Sequence, residues 1–427
     1  MMDWAFFQEL LSIDSTSGKE RKVAQWLLEH LEAPSKQSFE VGDGTLNLLL
    51  QWGTPTVVFC THMDTVPPFI PPTFPEGIRS EGLVHPRTRV GGGARRLAVR
   101  EADEADSGRG RSERSERSSF GAYPLRINGR GSCDAKGQLF AMYTACKELE
   151  AEGCTDFGLL LLAGEETGSW GAKAFDKTGW GAPFLIVGEP TENKMVSASK
   201  GTLSYDLLFR GVPFHSGYPQ YGVSAVDLFN QFYNQLKATD FGVDPLLGET
   251  TWNVGLLHSD NPQNILSPEL RCRLYFRTTF VSHEAVQRWM TEAPGRVGVP
   301  SASLRDPVRV NRRQAEWNGA CSDSRGAKEE TEGNAPGTPT LPEALTVTPR
   351  GGDTPARYVT LEGFEAAPVA FGSDAPHLNH FGHKSICGPG TIRVAHRDDE
   401  HILVRDLETA VGLYKAMCRR MQTYQYQ

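Results

Sequence analysis

The sequence predicts an α/β fold: a mostly parallel sheet flanked by helices, with a smaller α+β, ferredoxin-like domain inserted into it. Three observations predict it. Short apolar runs alternate with amphipathic helical stretches through residues 1–196, as buried parallel strands joined by crossover helices require. From residue 197 the strands alternate in polarity and follow a β-α-β-β-α order, which suits a small antiparallel sheet with helices on one face. The parallel-type pattern then returns after residue 357, so the first domain is discontinuous.

Each element has its own signal. Trp4, Phe6, Phe7, Leu10 and Leu11 recur at helical spacing over 4–12, and Val23, Trp26, Leu27 and Leu31 repeat the pattern over 19–32. Ser17, between them, is placed to cap the second helix. Residues 47–50 and 56–60 read as buried strands. Residues 137–152 form a helix with Leu139, Met142, Cys146 and Leu149 on one side, and 157–163 and 182–187 are further strands. In the inserted domain, strands are expected at 201–209, 251–257 and 271–279, and helices at 224–236 and 282–290. Strands at 367–371 and 384–387 and a helix at 403–421 complete the first domain. Two stretches lack any apolar period: 84–120, with its Arg/Ser/Glu runs, and 295–356, rich in Gly, Pro, Arg, Thr and Ala. Neither can bury enough surface to offset its ordering entropy, so 84–120 reads as a disordered or aberrant insert and 301–356 as a low-complexity linker.

Bulk properties exclude several classes. A chain of 427 residues with 39% hydrophobic residues can build two or three cores. A net charge of -8 and a pI near 5.8 argue against a nucleic-acid partner. The 8 cysteines stand singly, without a CxxC pair, as reduced cytosolic thiols do. Asp3, Gln8 and Glu9 interrupt the apolar N-terminus, so no signal peptide is expected, and no apolar run is long enough to span a bilayer.

The chemistry lies in motifs that follow apolar strands: Thr61-His62-Met63-Asp64, Gly129-Arg130-Gly131-Ser132-Cys133-Asp134, Gly164-Glu165-Glu166-Thr167 and Gly188-Glu189-Pro190-Thr191, with Ala395-His396 in a late loop. Two imidazoles and several carboxylates at strand ends suit two divalent ions such as zinc. Paired ions with one free carboxylate make a hydrolase, clamping a water and a carbonyl while the carboxylate moves the proton. Each residue also has a plainer reading. His62 and Asp64 could be a polar turn pair, or Asp64 could fix the tautomer of a metal-bound His62. Asp134 could cap a helix or bridge two ions. Glu165 and Glu166 could be a solvated turn, or one could bind metal while the other faces the substrate water. Glu189 and His396 are each ambiguous alone, and His377, His380 and His383, spaced by threes, read as ordinary surface histidines. Jointly the plain readings fail, because these groups gather where open α/β sheets place their sites.

The motifs 129–137, 163–168, 371–376 and 388–396 resemble those of the zinc-dependent deacylases and peptidases that include acetylornithine deacetylase, succinyl-diaminopimelate desuccinylase, aminoacylase and glutamate carboxypeptidase. The tail most resembles the acetylornithine deacetylase branch. The resemblance covers roughly residues 4–83, 127–294 and 358–420. It implies a catalytic domain of residues 1–196 and 357–427 and a lid and dimerisation domain of 197–300. It implies two zinc ions, replaceable by cobalt, with His62, Asp134 and Glu189 on the first and Asp134, Glu166 and His396 on the second. Asp64 would orient His62, and Glu165 would be the general base. His215 would contact the substrate carbonyl, often from the partner subunit, while Asn253, Asn264 and Arg277 would hold polar substrate groups. The implied reaction is hydrolysis of a small N-acyl amino acid such as N-acetylornithine, by a cytoplasmic homodimer serving arginine biosynthesis. A dipeptidase or carboxypeptidase on the same scaffold is the nearer alternative. A non-catalytic binding protein with a damaged lid is the alternative of another class.

Overall fold

The computed structural model describes residues 2–42, 44–75, 78–79, 82–83, 125–298 and 344–423. The insert expected at 84–120 and the linker over 301–343 fall outside the described residues. The chain divides into two compact units. One comprises Met1–Ser197, Tyr358–Ala367 and Ser373–Gln427, the other Ala198–Arg357 and Pro368–Gly372.

The first unit is built on a six-stranded sheet, in the order Ser35–Gly42, Thr45–Trp52, Phe157–Leu162, Val57–His62, Phe184–Val187 and His383–Ile386. The last four run parallel, and the first two form an antiparallel hairpin added at one edge. Every residue of Val57–His62, Phe157–Leu162 and Phe184–Val187 is buried, which is why these strands are apolar without alternation. Helices Lys136–Ala151 and Val404–Gln422 pack against each other. The ring of Phe140 stacks on Phe7 at 4.5 Å. Buried Tyr414 meets Phe59 edge-on and donates its hydroxyl to the Cys387 carbonyl at 3.0 Å.

One strand was not anticipated, and three expectations change here. The outer strand Ser35–Gly42 has no apolar signal because it is an edge, largely exposed and carrying Lys36, Gln37 and Glu40. The second helix begins at Arg21 with Glu20 as its N-cap, so Ser17 does not cap it. The helix after Asp134 has Ala135 as its N-cap and no side-chain cap, which removes the capping role considered for Asp134. Ala366–Val369 is a strand, but it forms no part of the six-stranded sheet.

The second unit contains a four-stranded antiparallel sheet in the order Thr251–His258, Glu269–Thr278, Gly201–Arg210 and Leu345–Gly351. Helices Ala225–Ala238 and His283–Arg296 complete a β-α-β-β-α-β sequence, and Phe232 meets Trp289 between them at 5.3 Å. The fourth strand corrects the linker assignment for its C-terminal end. Leu345 is fully buried in the core of this unit and Val347 packs against that core, whereas residues 348–351 are exposed. Pro349 is tolerated because the strand lies at the sheet edge.

Candidate metal centre

Three parallel strands of the first unit end at the same edge, and each delivers acidic or imidazole groups there. His62 closes the central strand Val57–His62. Glu165 and Glu166 follow Phe157–Leu162 after a turn at Gly164, where φ is +66°. A Cβ at Gly164 would also strike the Trp170 indole, so only glycine allows this exit. Glu189 follows Phe184–Val187 and is buried. Asp134 lies in the loop before helix Lys136–Ala151, and His396 in the loop before strand His401–Leu403.

Asp134 stands at the middle of the cluster. Its Oδ1 is 3.1 Å from His62 Nε2 and its Oδ2 is 3.4 Å from His396 Nε2. His396 Nε2 is also 3.0 Å from Glu166 Oε1. One set of ligand atoms, from His62, Asp134 and Glu189, lies mutually within 4.8 Å, and a second set, from Asp134, Glu166 and His396, does the same. Two ligand sets thus share one carboxylate, the arrangement expected of a bridged pair of ions.

Hydrogen bonding prepares the ligands. His62 Nδ1 donates to the backbone carbonyl of Asp64 at 3.0 Å, with Asp64 Oδ1 at 3.3 Å. That bond leaves Nε2 as the ring nitrogen turned towards Asp134, the one that would bind an ion shared with it. The expected help from Asp64 therefore comes first through its main chain. Its carboxylate has other work: it accepts from the Ser17 hydroxyl at 2.8 Å and from the N–H groups of Glu165 and Glu166 at 3.0 and 3.2 Å. Asp64 thereby ties the His62 strand to the Glu165–Glu166 turn.

The electrostatics call for cations. Burial raises Glu165 well above the usual carboxylate range; His62 opposes this, and Asp374, Glu166 and Asp134 add to it. Burial and then Glu165 do the same to Glu189. Burial also pushes Asp374 up to about 7. Conversely, Asp134 is held well below its ordinary range: burial works against its charge, but hydrogen bonds from His396 and His62 outweigh it. The same bonds to Asp134 and Glu166 push His396 up to about 10. A fully buried carboxylate oxygen, Glu189 Oε1, has no hydrogen-bond partner among the described residues. A buried acceptor without a donor costs stability unless a cation serves it, so the donor set fits divalent ions.

The remaining predicted residues lie in the second unit. Asn253 and Arg277 sit on neighbouring strands of its sheet, on the face away from the helices, where Arg277 lies 5.1 Å over the Tyr275 ring. His215 and Asn264 are exposed and lie on two segments joined by hydrogen bonding, the Ser216 N–H donating to the Asn264 carbonyl at 2.9 Å. Among the described residues, His377, His380 and His383 contribute to neither ligand set, and His383 stacks on Phe184. Sequence reasoning missed Ser17, which carried no signal beyond capping. It also missed Glu400, which is buried against the Asp134 loop, and it read Asp374 only as part of a motif.

Comparison with known proteins points to a family of peptidases. The profile of peptidase family M20/M25/M40 matches residues 117–420. A protein of Aspergillus flavus described as a "Probable carboxypeptidase" is 26% identical, over 97% of this chain and 86% of its own length. A tripeptidase from Staphylococcus aureus superposes with a TM-score of 0.64 at 17% identity, covering 97% of this chain and 98% of that one. A dinuclear metal-binding peptidase from Bacillus subtilis superposes with a TM-score of 0.55 at 10% identity, covering 99% and 98%.

Proposed function

The chain belongs to peptidase family M20/M25/M40, a family of metallopeptidase-type hydrolases, and from that footing we propose that it is a dinuclear metal-dependent exopeptidase acting on short peptides with a free carboxyl end. The observation that carries the reading is the pair of ligand sets joined at Asp134 beside Glu165. His62, Asp134 and Glu189 would hold one ion, and Asp134, Glu166 and His396 the other; zinc suits these nitrogen and oxygen donors, and cobalt would substitute. Bound there, the ions would polarise the scissile carbonyl and acidify water. Glu165, an acid among the cluster that belongs to neither ligand set, takes the proton of the attacking water and passes it to the leaving amine. Asp64 keeps His62 in its tautomer. His215, with Asn264 beside its segment, would meet the scissile carbonyl, and Asn253 and Arg277 would take polar and carboxylate groups of the substrate.

The carboxypeptidase description of the A. flavus relative supports a peptide substrate over the N-acyl amino acid suggested by the tail motifs. A screen of dipeptides, N-blocked dipeptides, N-acetylornithine and other N-acetyl amino acids, with zinc or cobalt added, tests this. Faster turnover of the peptides is expected. Turnover confined to N-acetyl amino acids would overturn the peptidase reading, and binding of both classes without turnover of either would make the chain a binding protein.

The edge strand Thr251–His258, with Leu256 and Leu257 exposed, supports a homodimer formed through the second unit. If His215 acts across that dimer, mixing the inactive variants His215→Ala and Glu165→Ala should recover part of the activity. No recovery between subunits shown to exchange would confine His215 to its own chain. Buried free thiols at Cys60, Cys133, Cys146, Cys272, Cys387 and Cys418 support a reducing, cytosolic setting. Among the described residues no helix is long and apolar enough to cross a membrane.

A further inference from the structure

Glu400 supplies no ligand atom to either set, yet it is buried and both of its oxygens are engaged at the loop that carries Asp134. Its Oε1 accepts from three backbone N–H groups, those of Gly131, Cys133 and Asp134, at 2.9, 3.0 and 3.1 Å. Its Oε2 pairs with Arg130 Nη1 at 2.6 Å. Its own carbonyl receives the Gly129 N–H at 3.1 Å. Arg130 then reaches two further segments. Its Nη1 donates to the Arg397 carbonyl at 3.2 Å, and its Nε to the Pro68 carbonyl at 3.1 Å. The pair therefore fastens together the loop after His62, the loop of Asp134 and the loop of His396.

We infer that Glu400, with Arg130, is a positioning residue for the dinuclear centre: it aims the single carboxylate of Asp134 so that His62 and His396 can both share an ion with it. This rests on the two-ion reading above. The two ligand sets do not depend on the strut equally. His62 closes a central strand and Glu189 follows the neighbouring one, and both are buried. In the second set Glu166 also follows a buried strand, but His396 does not. Its His396 side chain is half exposed, its backbone takes a φ of 63°, and it stands four residues before Glu400 in the same loop. Loss of the strut should therefore weaken the second ion far more than the first.

Glu400→Gln tests this, because an amide keeps the shape but cannot accept from the three N–H groups and from Arg130 at once. Zinc affinity is read ion by ion with a competing chelator, alongside elemental analysis and the circular dichroism of the metal-free protein. In the parent, two ions should bind. In Glu400→Gln the first should keep its affinity within a few-fold and the second should weaken by about 10- to 100-fold, the usual effect of removing an outer-shell partner. Arg130→Lys, which leaves the three N–H bonds to Glu400 in place, should show the same order of loss to a smaller extent, and it stands in if Glu400→Gln does not fold. A parent that binds fewer than two ions would sink the two-ion reading itself. A parent with two ions and folded variants whose ions are unchanged, or lost together, would overturn the positioning role alone. Failure of both variants to fold would mark the pair as a stability element and overturn it likewise.

Discussion

Glu165 and Glu166 are adjacent, yet the geometry divides their work. Glu166 reaches His396, while Glu165 belongs to neither ligand set, and burial and the acids around it raise its proton affinity above that of an ordinary carboxylate. Glu165→Gln should therefore keep both ions and lose about 10²- to 10⁴-fold in kcat, the usual contribution of a placed general base. Steady-state rates with elemental analysis check this; an unchanged kcat removes Glu165 from the chemistry. Ser17→Ala removes only one donor to Asp64 and should cost about 0.5–1.5 kcal/mol of stability with the ions retained, measured by denaturant melts. His62, Glu166 and Glu189 were legible because each follows an apolar strand, whose end fixes where a side chain must lie; Asp134 and His396 lie in loops and were legible through the motifs around them. Ser17 and Glu400 were not, because a hydrogen-bond partner 47 or 270 residues away leaves no mark on the sequence around it.

Strands that are buried on both faces announce themselves by continuous apolarity, and Phe157–Leu162 and Val57–His62 were plain for that reason. Ser35–Gly42 and Leu345–Gly351 were not. An edge strand exposes one side and one hydrogen-bonding row, so its composition drifts towards that of a loop. Leu345 carries the little signal that remains, and its burial makes a sharp expectation. Leu345→Ala should destabilise the second unit by about 2–5 kcal/mol, as truncation of a core leucine does. Arg350→Ala, which breaks a solvent-exposed pair with Asp206, should cost about 1 kcal/mol or less. Equal effects in thermal melts would mean that this strand adds nothing to the core.

At the scale of the molecule, the ligand sets lie wholly in the first unit, so ion binding should stabilise that unit selectively. With free zinc at 100 times its dissociation constant the gain is about 2.7 kcal/mol for each ion. Scanning calorimetry should show one transition that falls on chelation and returns with zinc, and another that Leu345→Ala lowers and chelation leaves in place. A single transition that moves as a whole would show that the two units unfold together. The discontinuity of the first unit also sets an order in time. A ribosome that has released residues 1–197 has made His62 and all three acidic groups of the two sets, but has not yet made His396 or the strand His383–Ile386 that will cover Phe184–Val187. The inserted unit, whose four-stranded sheet pairs only segments between 201 and 351, can form that sheet first, while the sheet edge at Phe184–Val187 waits unpaired. The proposed first ion would thus have a complete set of ligands in the nascent chain and the second would not, so the centre would be assembled in two loading events separated by the synthesis of half the protein.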